Sequence, residues 1–254
     1  MFKRSFKNCL TKLSSLFYKY KRKDLVLYGS GFNNFSGHTK YRYLANYQSE
    51  NSYWVASNHV DFNELQNSGK RVLRKYSPRH CILALLASKY YITHNVSDIF
   101  IVKPKGCYVI NLWHGVAIKY IGFDSNIESN WITQKLKYHE QLPYYDWDEF
   151  IAQSEHHKNI ILSAMRLPAS KIKVREPDSL TELKKSFTEK KDIEKNVLYL
   201  PTFRSDGCNK VYKSALKKVL KRFPSADFNV SIKLHPLSDT QWLSEYSEHI
   251  AVIP

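Results

Sequence analysis

The chain has 254 residues, of which 43% are hydrophobic, so it can bury one large core or two smaller ones. The formal net charge of +16 predicts polyanionic partners: nucleic acid, an anionic membrane surface or phosphorylated substrates. The four cysteines are scattered without a CxxC pair, which argues against a structural zinc or a disulfide scaffold. Because no run approaches about 20 apolar residues and no secretory signal is recognisable, we expect the protein to stay in the cytoplasm.

Residues 1–23 predict a basic amphipathic helix. Lys and Arg recur through this stretch with no acidic residue before Asp24, and aromatic residues and Leu return every three or four positions. Such a helix lies in the interface of an anionic membrane. The alternative is an ordinary helix docked on the domain, since any packed helix is amphipathic. The one-sided charge favours the membrane.

From residue 24 onward, short apolar runs alternate with helical patterns, which predicts an α/β fold. Ser77 and Pro78 are expected to start one helix and Ser154 another. Two glycines, Gly29 and Gly31, close the first strand, but they are too few for a dinucleotide-binding fingerprint. The expected strands are 25–28, 53–56, 90–93, 99–102, 108–112, 149–153 and 172–174.

The strand expected at 108–112 ends abruptly at Trp113, His114 and Gly115, and the residues that follow have helical spacing. A histidine between a core strand and a helix lies where open α/β sheets bind their ligands, and the glycine allows close approach. The alternative is a satisfied polar residue near the core. We expect the adjacent His156 and His157 to be helix-face residues rather than a metal pair.

The charged segment 181–195 predicts a helix that leads into a linker, after which the pattern restarts. Strands are expected at 196–200 and 230–234, with a helix at 210–222 between them. Arg204 and His235 follow these two strands, so two Rossmann-like domains would face a cleft that holds both residues and His114. An imidazole can take a proton from a hydroxyl and a guanidinium can bind phosphate, which suffices for phosphoryl-type transfer.

Three sequence blocks resemble the CDP-glycerol glycerophosphotransferase family, the teichoic acid and capsule polymerases. They occur in the family's order and approximate spacing: Asn111-Leu-Trp-His-Gly115 with Lys119 and Gly122-Phe-Asp124, then Leu200-Pro-Thr-Phe-Arg204, then Lys233-Leu-His-Pro236.

The resemblance implies a GT-B-like fold of two Rossmann-like lobes. Residues 24–180 would form the acceptor lobe, 181–195 the linker and 196–254 a partial nucleotide-donor lobe. The implied activity is transfer of glycerol phosphate, or a related polyol phosphate, from a CDP-linked donor to a hydroxyl of a lipid-linked acceptor. The implied location is the cytoplasmic face of the cell membrane, with peripheral attachment.

Residue roles also follow from the resemblance. His114 is similar to the family's general base, Arg204 and His235 would contact the donor pyrophosphate, and Lys119 would help to hold the acceptor. Trp113, Gly115, Asp124 and Thr202 complete the motifs. No metal site and no cofactor are expected.

The chain departs from the family pattern in two places. Residues 174–178 keep Pro177 and Asp178 of the lobe-junction turn but lose its glycine, and the sequence ends before the family's Asp-Tyr-Ser-Ser segment. We therefore expect a C-terminally truncated member without full polymerase activity. The alternative is a non-catalytic basic protein that binds membranes or nucleic acid. Because no nucleic-acid-binding motif is present, we do not expect a nucleic-acid partner.

Overall fold

The computed structural model describes residues 2–48, 51–137, 142–189, 195–201, 209–234 and 239–253. The chain divides into two compact units, residues 1–187 and residues 188–254. The helices in the described ranges are α1 (Phe2–Leu16), α2 (Gly37–Asn46), α3 (His59–Asn67), α4 (Pro78–Leu86), α5 (Asn126–Lys137), α6 (Glu155–Met165), α7 (Asp178–Glu189) and α8 (Asn209–Arg222). The strands are β1 (Arg22–Tyr28), β2 (Asn51–Ala56), β3 (Val72–Arg74), β4 (Ala87–Ile92), β5 (Tyr108–Asn111), β6 (Glu149–Ala152), β7 (Ile172–Val174), β8 (Asn196–Tyr199), β9 (Asn229–Ile232) and β10 (Ala251–Val252).

The first unit is built on a seven-stranded, wholly parallel sheet in the order β3-β2-β1-β4-β5-β6-β7. The strand order reverses between β1 and β4, which pair through Tyr28 and Tyr91 among others. In doubly wound sheets, ligands bind outside the carboxyl ends of the strands at such a reversal. The α/β class expected from the sequence is confirmed.

The centre of this sheet is buried on both faces, as its sequence requires. Leu25 and Leu27 of β1 belong to one core cluster, whereas Val26 and Tyr28 belong to another. Since successive side chains of a strand point to opposite faces, a strand covered on both sides reads as a continuous apolar run. The apolar run that predicted β1 is therefore a consequence of burial on both faces.

Two predicted helix starts have the expected caps. The Ser77 hydroxyl accepts a hydrogen bond from the backbone N–H of His80 at 3.2 Å, and the Ser154 hydroxyl accepts one from that of His157 at 3.1 Å. Each hydroxyl satisfies a backbone donor that has no partner within its helix.

The strand predicted at 99–102 is wrong. Strand β4 pairs directly with β5, so no strand lies between them. Asn95 and Asp98 exchange side-chain hydrogen bonds with backbone N–H groups and fix a 3-10 turn over Val96–Asp98. Ile99, Phe100 and Val102 follow this turn and are buried in the core outside any strand.

The helix predicted directly after His114 is also wrong in position. Residues 115–121 form no helix; a 3-10 turn covers Gly122–Asp124, and α5 begins at Asn126. Gly115 has a φ of 150°, far from helical values. His114 therefore stands on a loop at the strand end.

Helix α1 is shorter than the basic segment predicted over 1–23, because Arg22 and Lys23 already belong to β1. The helix docks at the amino edge of the sheet, where the Ser14 hydroxyl accepts a hydrogen bond from the backbone N–H of Lys105 at 3.1 Å. Leu16 at its end is 70% exposed. Within the described ranges, no helix is long and apolar enough to cross a membrane.

The second unit contains a three-stranded parallel sheet in the order β10-β9-β8. Helix α8 lies between β8 and β9 in the sequence. Its core joins Leu216 of α8 and Ile232 of β9 to Trp242, all of them buried. The unit therefore has a hydrophobic core of its own.

Candidate active site at the carboxyl edge of the sheet

Polar side chains follow the ends of neighbouring strands at the strand-order reversal. Ile92 of β4 lies opposite Asn111 of β5, so the residues just beyond them, His94 and His114, come out at the same edge of the sheet. The loop after β1 adds Phe32 to this group. These three side chains form the centre of the candidate site.

The backbone at Trp113 aims His114 away from the core. Trp113 has a φ of 57°, and its N–H donates to the Asn111 side-chain oxygen at 2.6 Å. Its indole packs against Trp147 and Phe150, with centroids 6.0 and 5.7 Å away. A left-handed conformation at a bulky residue costs on the order of 1–3 kcal/mol, and such strain clusters at functional sites. The anchored indole and the Asn111 bond hold this turn in place.

Three aromatic rings pack around one side of the His114 imidazole, and the rest of the ring is open to solvent. The ring centroids of Trp113, His94 and Phe32 lie 4.4, 4.6 and 5.7 Å from that of His114. Burial among its neighbours lowers the pKa of His114 to about 4, and the charges of His94, His38 and His157 lower it further. The ring is therefore neutral near pH 7 and can accept a proton.

His94 is held in one orientation by a short chain of hydrogen bonds. The Thr93 hydroxyl lies 3.3 Å from the Asp98 carboxylate, 2.9 Å from the Gly31 backbone nitrogen and 3.0 Å from His94 Nδ1. A hydroxyl has one proton to donate, and a carboxylate can only accept it. The Thr93 oxygen then accepts from Gly31 and, in the tautomer that carries a proton on Nδ1, from His94.

The Asp98 carboxylate holds the loop that carries His94. It accepts backbone N–H bonds from Thr93 at 2.9 Å, from His94 at 2.8 Å and from Asn95 at 3.3 Å, and it is buried. Hydrogen bonds to a carboxylate are stronger than neutral ones. The Asp98 carboxylate thus ties the backbone of this loop together, and its charge also acts on Lys75.

Gly31 leaves room for the His94 ring. A Cβ atom at position 31 would lie 2.1 Å from His94 Nδ1, closer than any real contact. Any other residue would push the ring aside. Gly31 therefore allows the residues that follow β1 and β4 to approach each other closely.

Asn111 ties the same two strand ends together. Its side chain is fully buried; the oxygen receives the Trp113 N–H, and the nitrogen donates to the backbone oxygen of His94 at 3.2 Å. One amide thereby fixes the loops that carry both imidazoles.

A second cluster lies beside the ends of β6 and β7. His38 of α2 contacts Gln153 at 2.8 Å and Ser179 at 2.9 Å, and Arg42 pairs with Asp178 at 2.8 Å. These contacts join α2 to the start of α7, and His38, Gln153 and Ser179 border a cavity of about 490 Å³. Asp178 of the altered junction motif is therefore anchored on the first unit.

The remaining predicted residues of the first unit differ in their placement. Lys119 is exposed on the loop after His114, between Ile118 and Tyr120, which are 88% and 82% exposed. Asp124 accepts a hydrogen bond from the Ser163 hydroxyl at 2.7 Å, which anchors its turn on α6. Asp124 thus has a structural contact, whereas Lys119 faces solvent.

The predicted residues of the second unit, Thr202, Arg204 and His235, lie outside the described residues. Their roles stay predictions.

His156 and His157 lie in α6 on different faces, as expected: His156 is exposed and His157 points into the core. The His157 side chain is fully buried, and its Nδ1 accepts a hydrogen bond from the Gln153 backbone N–H at 3.2 Å. Burial lowers its pKa. The residue is a core histidine.

Sequence reasoning missed His94, Phe32 and the hydrogen bonds of Thr93. A signal was present, since His94 follows an expected strand just as His114 does. What the sequence does not reveal is that β1, β4 and β5 are neighbours in the sheet.

No group of three or more His, Cys, Asp or Glu side chains suited to holding a metal ion exists among the residues that the structure describes. The expectation that the protein needs no cofactor stays a prediction.

The family that matches the chain is the one that the sequence motifs resemble. The sequence model of the CDP-Glycerol:Poly(glycerophosphate) glycerophosphotransferase family matches residues 12–253. None of the curated proteins compared with the chain matches it.

Solved structures match over almost the whole chain. The wall teichoic acid polymerase TagF has a TM-score of 0.66 at 16% identity, covering 98% of this chain and 68% of the polymerase chain. A histidine-to-asparagine variant of TagF soaked with CDPG has a TM-score of 0.65 at 17% identity, with coverages of 98% and 64%. UDP-N-acetylglucosamine 2-epimerase from Rickettsia bellii has a TM-score of 0.55 at 11% identity, with coverages of 92% and 69%.

At these identities the likeness concerns the fold, and it confirms the GT-B-like α/β class expected from the sequence. The chain spans between 64% and 68% of the length of the polymerase chains that it matches.

Proposed function

The chain belongs to the CDP-glycerol:poly(glycerophosphate) glycerophosphotransferase family and is a transferase by that membership, and from this premise we propose its reaction. It transfers glycerol phosphate, or a related polyol phosphate, from a CDP-linked donor to a hydroxyl of a lipid-linked teichoic acid or capsule acceptor. His114 is the general base. The observation that carries the proposal is the neutral, solvent-facing imidazole of His114 at the end of β5.

In the proposed step, an oxygen of the acceptor attacks the donor phosphorus that carries the polyol. A new phosphorus–oxygen bond forms, the bond between that phosphorus and the CMP phosphate oxygen breaks, and CMP leaves with the bonding electrons. The hydroxyl proton passes to the His114 imidazole, as in general base catalysis. Because little covalent chemistry falls to the protein in phosphoryl transfer, positioning and charge provide most of the rate.

The donor side of the proposal rests on the sequence motifs. Arg204 and His235, which the family resemblance assigns to the donor pyrophosphate, would offset the charge that develops as CMP departs. The fold likeness to a polymerase variant soaked with CDPG supports a CDP-linked donor.

We further propose that the protein lies on the cytoplasmic face of the membrane and contacts anionic lipid. Two features of the first unit support this location. Helix α1 leaves Leu16 exposed next to a basic stretch at the amino edge of the sheet. At the opposite edge, the loop after His114 exposes Ile118 and Tyr120 beside Lys119, so each edge offers a separate candidate contact with lipid. Exposed apolar side chains next to cations favour an anionic interface.

The test is CMP release and polyol-phosphate transfer by the purified full-length protein, with a CDP-polyol donor and a lipid-linked acceptor. His114→Asn should lower turnover by roughly 100- to 10,000-fold, the usual contribution of a general base. The matched control is His59→Asn, an exposed histidine at the start of α3. Wild-type turnover in His114→Asn, or no transfer by the unmodified protein with any CDP-polyol, would refute the proposal.

A further inference from the structure

A second cavity opens beside His94, on the side of the strand-order reversal. Its volume is about 320 Å³, and its lining includes Gly31, Asn33, Lys75, Tyr76, His94 and Asn95. These residues follow the carboxyl ends of β1, β3 and β4. Crevices at this place in doubly wound sheets are where ligands bind.

The chemistry of the lining suits an anion. Lys75 provides a cation whose Nζ is held by the Ser97 backbone oxygen at 2.6 Å. Asp98 also borders the cavity, but its oxygens already accept hydrogen bonds from Thr93, His94 and Asn95. A fixed ammonium group beside side-chain amides is a site for a phosphate oxygen.

Two residues of the lining have left-handed backbones, which asparagine tolerates and tyrosine adopts only under strain. Asn33 and Tyr76 have φ values of 57° and 63°, although neither is glycine. The backbone oxygen of Asn33 accepts a hydrogen bond from the Asn58 side-chain nitrogen at 2.8 Å. The backbone N–H of Tyr76 donates to His80 Nδ1 at 3.0 Å. Strain that the surroundings hold in place is typical of ligand-binding loops.

The His94 ring connects this cavity to the candidate base. His94 lines the cavity and also contacts His114 edge to face. A ligand with a phosphate near Lys75 and a hydroxyl group beyond it could therefore pass along His94 towards His114.

We propose that this cavity binds the phosphodiester of the acceptor's terminal polyol phosphate unit, with Lys75 as its cation, so that the terminal hydroxyl reaches His114. This inference rests on the proposed function and specifies its acceptor. The ligand class is a phosphodiester that carries a vicinal diol.

The test measures binding by titration calorimetry with glycerophosphoglycerol, a phosphodiester of two glycerols, and with glycerol as the uncharged probe. Lys75→Met should weaken binding of the diester by about tenfold or more, because a charge-assisted bond is lost, and leave that of glycerol unchanged. Lys75→Arg keeps a cation and should retain most of the affinity. Lys70→Met is the matched control, since Lys70 lies beyond the opposite end of β3 and is no part of the lining.

Several results would overturn the inference. Wild-type affinity for the diester in Lys75→Met, an equal loss in Lys70→Met, or no binding of the diester by the unmodified protein would each do so. Inorganic phosphate serves as a third probe: if it binds as tightly as the diester, the cavity is a general phosphate site and the assignment to the acceptor is wrong.

The inference and the proposed function can fail separately. Diester binding that depends on Lys75, in a protein that transfers no polyol phosphate, would remove the function and keep the site. Normal transfer and normal diester binding in Lys75→Met would keep the function and remove the site.

Discussion

The imidazole rings of His94 and His114 meet edge to face, with their centroids 4.6 Å apart, although the two residues follow different strands. At this distance, a proton on one ring opposes a proton on the other. The His94 ring therefore lowers the pKa of His114 further, in addition to the larger effect of burial.

His114 should remain neutral down to about pH 4 in the free protein, since burial and neighbouring histidines lower its pKa to about 4. His94→Asn removes one of these charges, so the pKa of His114 should rise towards, but not reach, its ordinary value of about 6.5. NMR titration of the ring nitrogens measures both values. The same titration in His59→Asn should leave His114 unchanged; a fall of the pKa in His94→Asn would contradict the prediction.

Gly31→Ala should displace the His94 ring, because the new Cβ would lie 2.1 Å from Nδ1. We expect a loss of stability of about 1–3 kcal/mol, the usual cost of overpacking. His94→Ala in the same protein should restore most of this loss by removing the ring. Urea unfolding of both single variants and the double variant measures the coupling, and strictly additive effects would count against the contact.

Asn111→Ala should destabilise the first unit by about 1–3 kcal/mol, since the Trp113 N–H and the His94 carbonyl lose a buried partner. Asn111→Asp keeps an acceptor for Trp113 and loses the donor to His94. We therefore expect that variant to shift the His94 resonances while the Trp113 amide stays protected. Thermal unfolding and amide hydrogen exchange measure these effects, and unchanged protection of the Trp113 amide in Asn111→Ala would argue against the clamp.

His80 should make the protein less stable in acid. The residue is fully buried, and burial lowers its pKa to about 4. The unfolded chain takes up a proton near pH 6.5 and the native state does not, so stability is complete above that pH and falls as the pH drops towards 4. The full effect is roughly 3 kcal/mol.

His80→Asn tests this dependence, because an amide oxygen can still accept the Tyr76 N–H while the side chain no longer titrates. The variant should lose less stability between pH 7 and pH 4 than the wild type does, whatever its stability at pH 7. Urea unfolding at both values gives the comparison. An unchanged difference would assign the acid sensitivity to other groups.

The sequence predicted most strands of the first unit because buried parallel strands are continuous apolar runs. The same rule failed at 99–102, where Ile99 and Phe100 are apolar because they are buried and not because they belong to a strand. Strand β3 was missed, although β7, which also has three residues, was predicted. The helical spacing after His114 led to a wrong prediction, because the spacing of apolar residues does not show that Gly115 has a non-helical backbone.

For the candidate site, the family motif identified Trp113 and His114. The position of His114 after a core strand predicted that the site lies at an edge of the sheet. The partners of His114 could not be predicted, because Phe32 and His94 reach it through the pairing of β1 with β4 and of β4 with β5. That order depends on which faces the crossover helices cover. The sequence of a single strand does not show which strands will be its neighbours in the sheet.

The pairing of β1 with β4 also has a kinetic consequence. Val26 lies opposite Lys89, so this contact must close a long loop that contains α2, β2, α3, β3 and α4. Non-local pairings of this kind form slowly, because the entropy of loop closure opposes them before any contact compensates. Phe32 and His94 meet only once that loop has closed. Their contact is therefore expected among the late events of folding, and the site should be absent from any intermediate in which the two halves of the sheet have not yet joined.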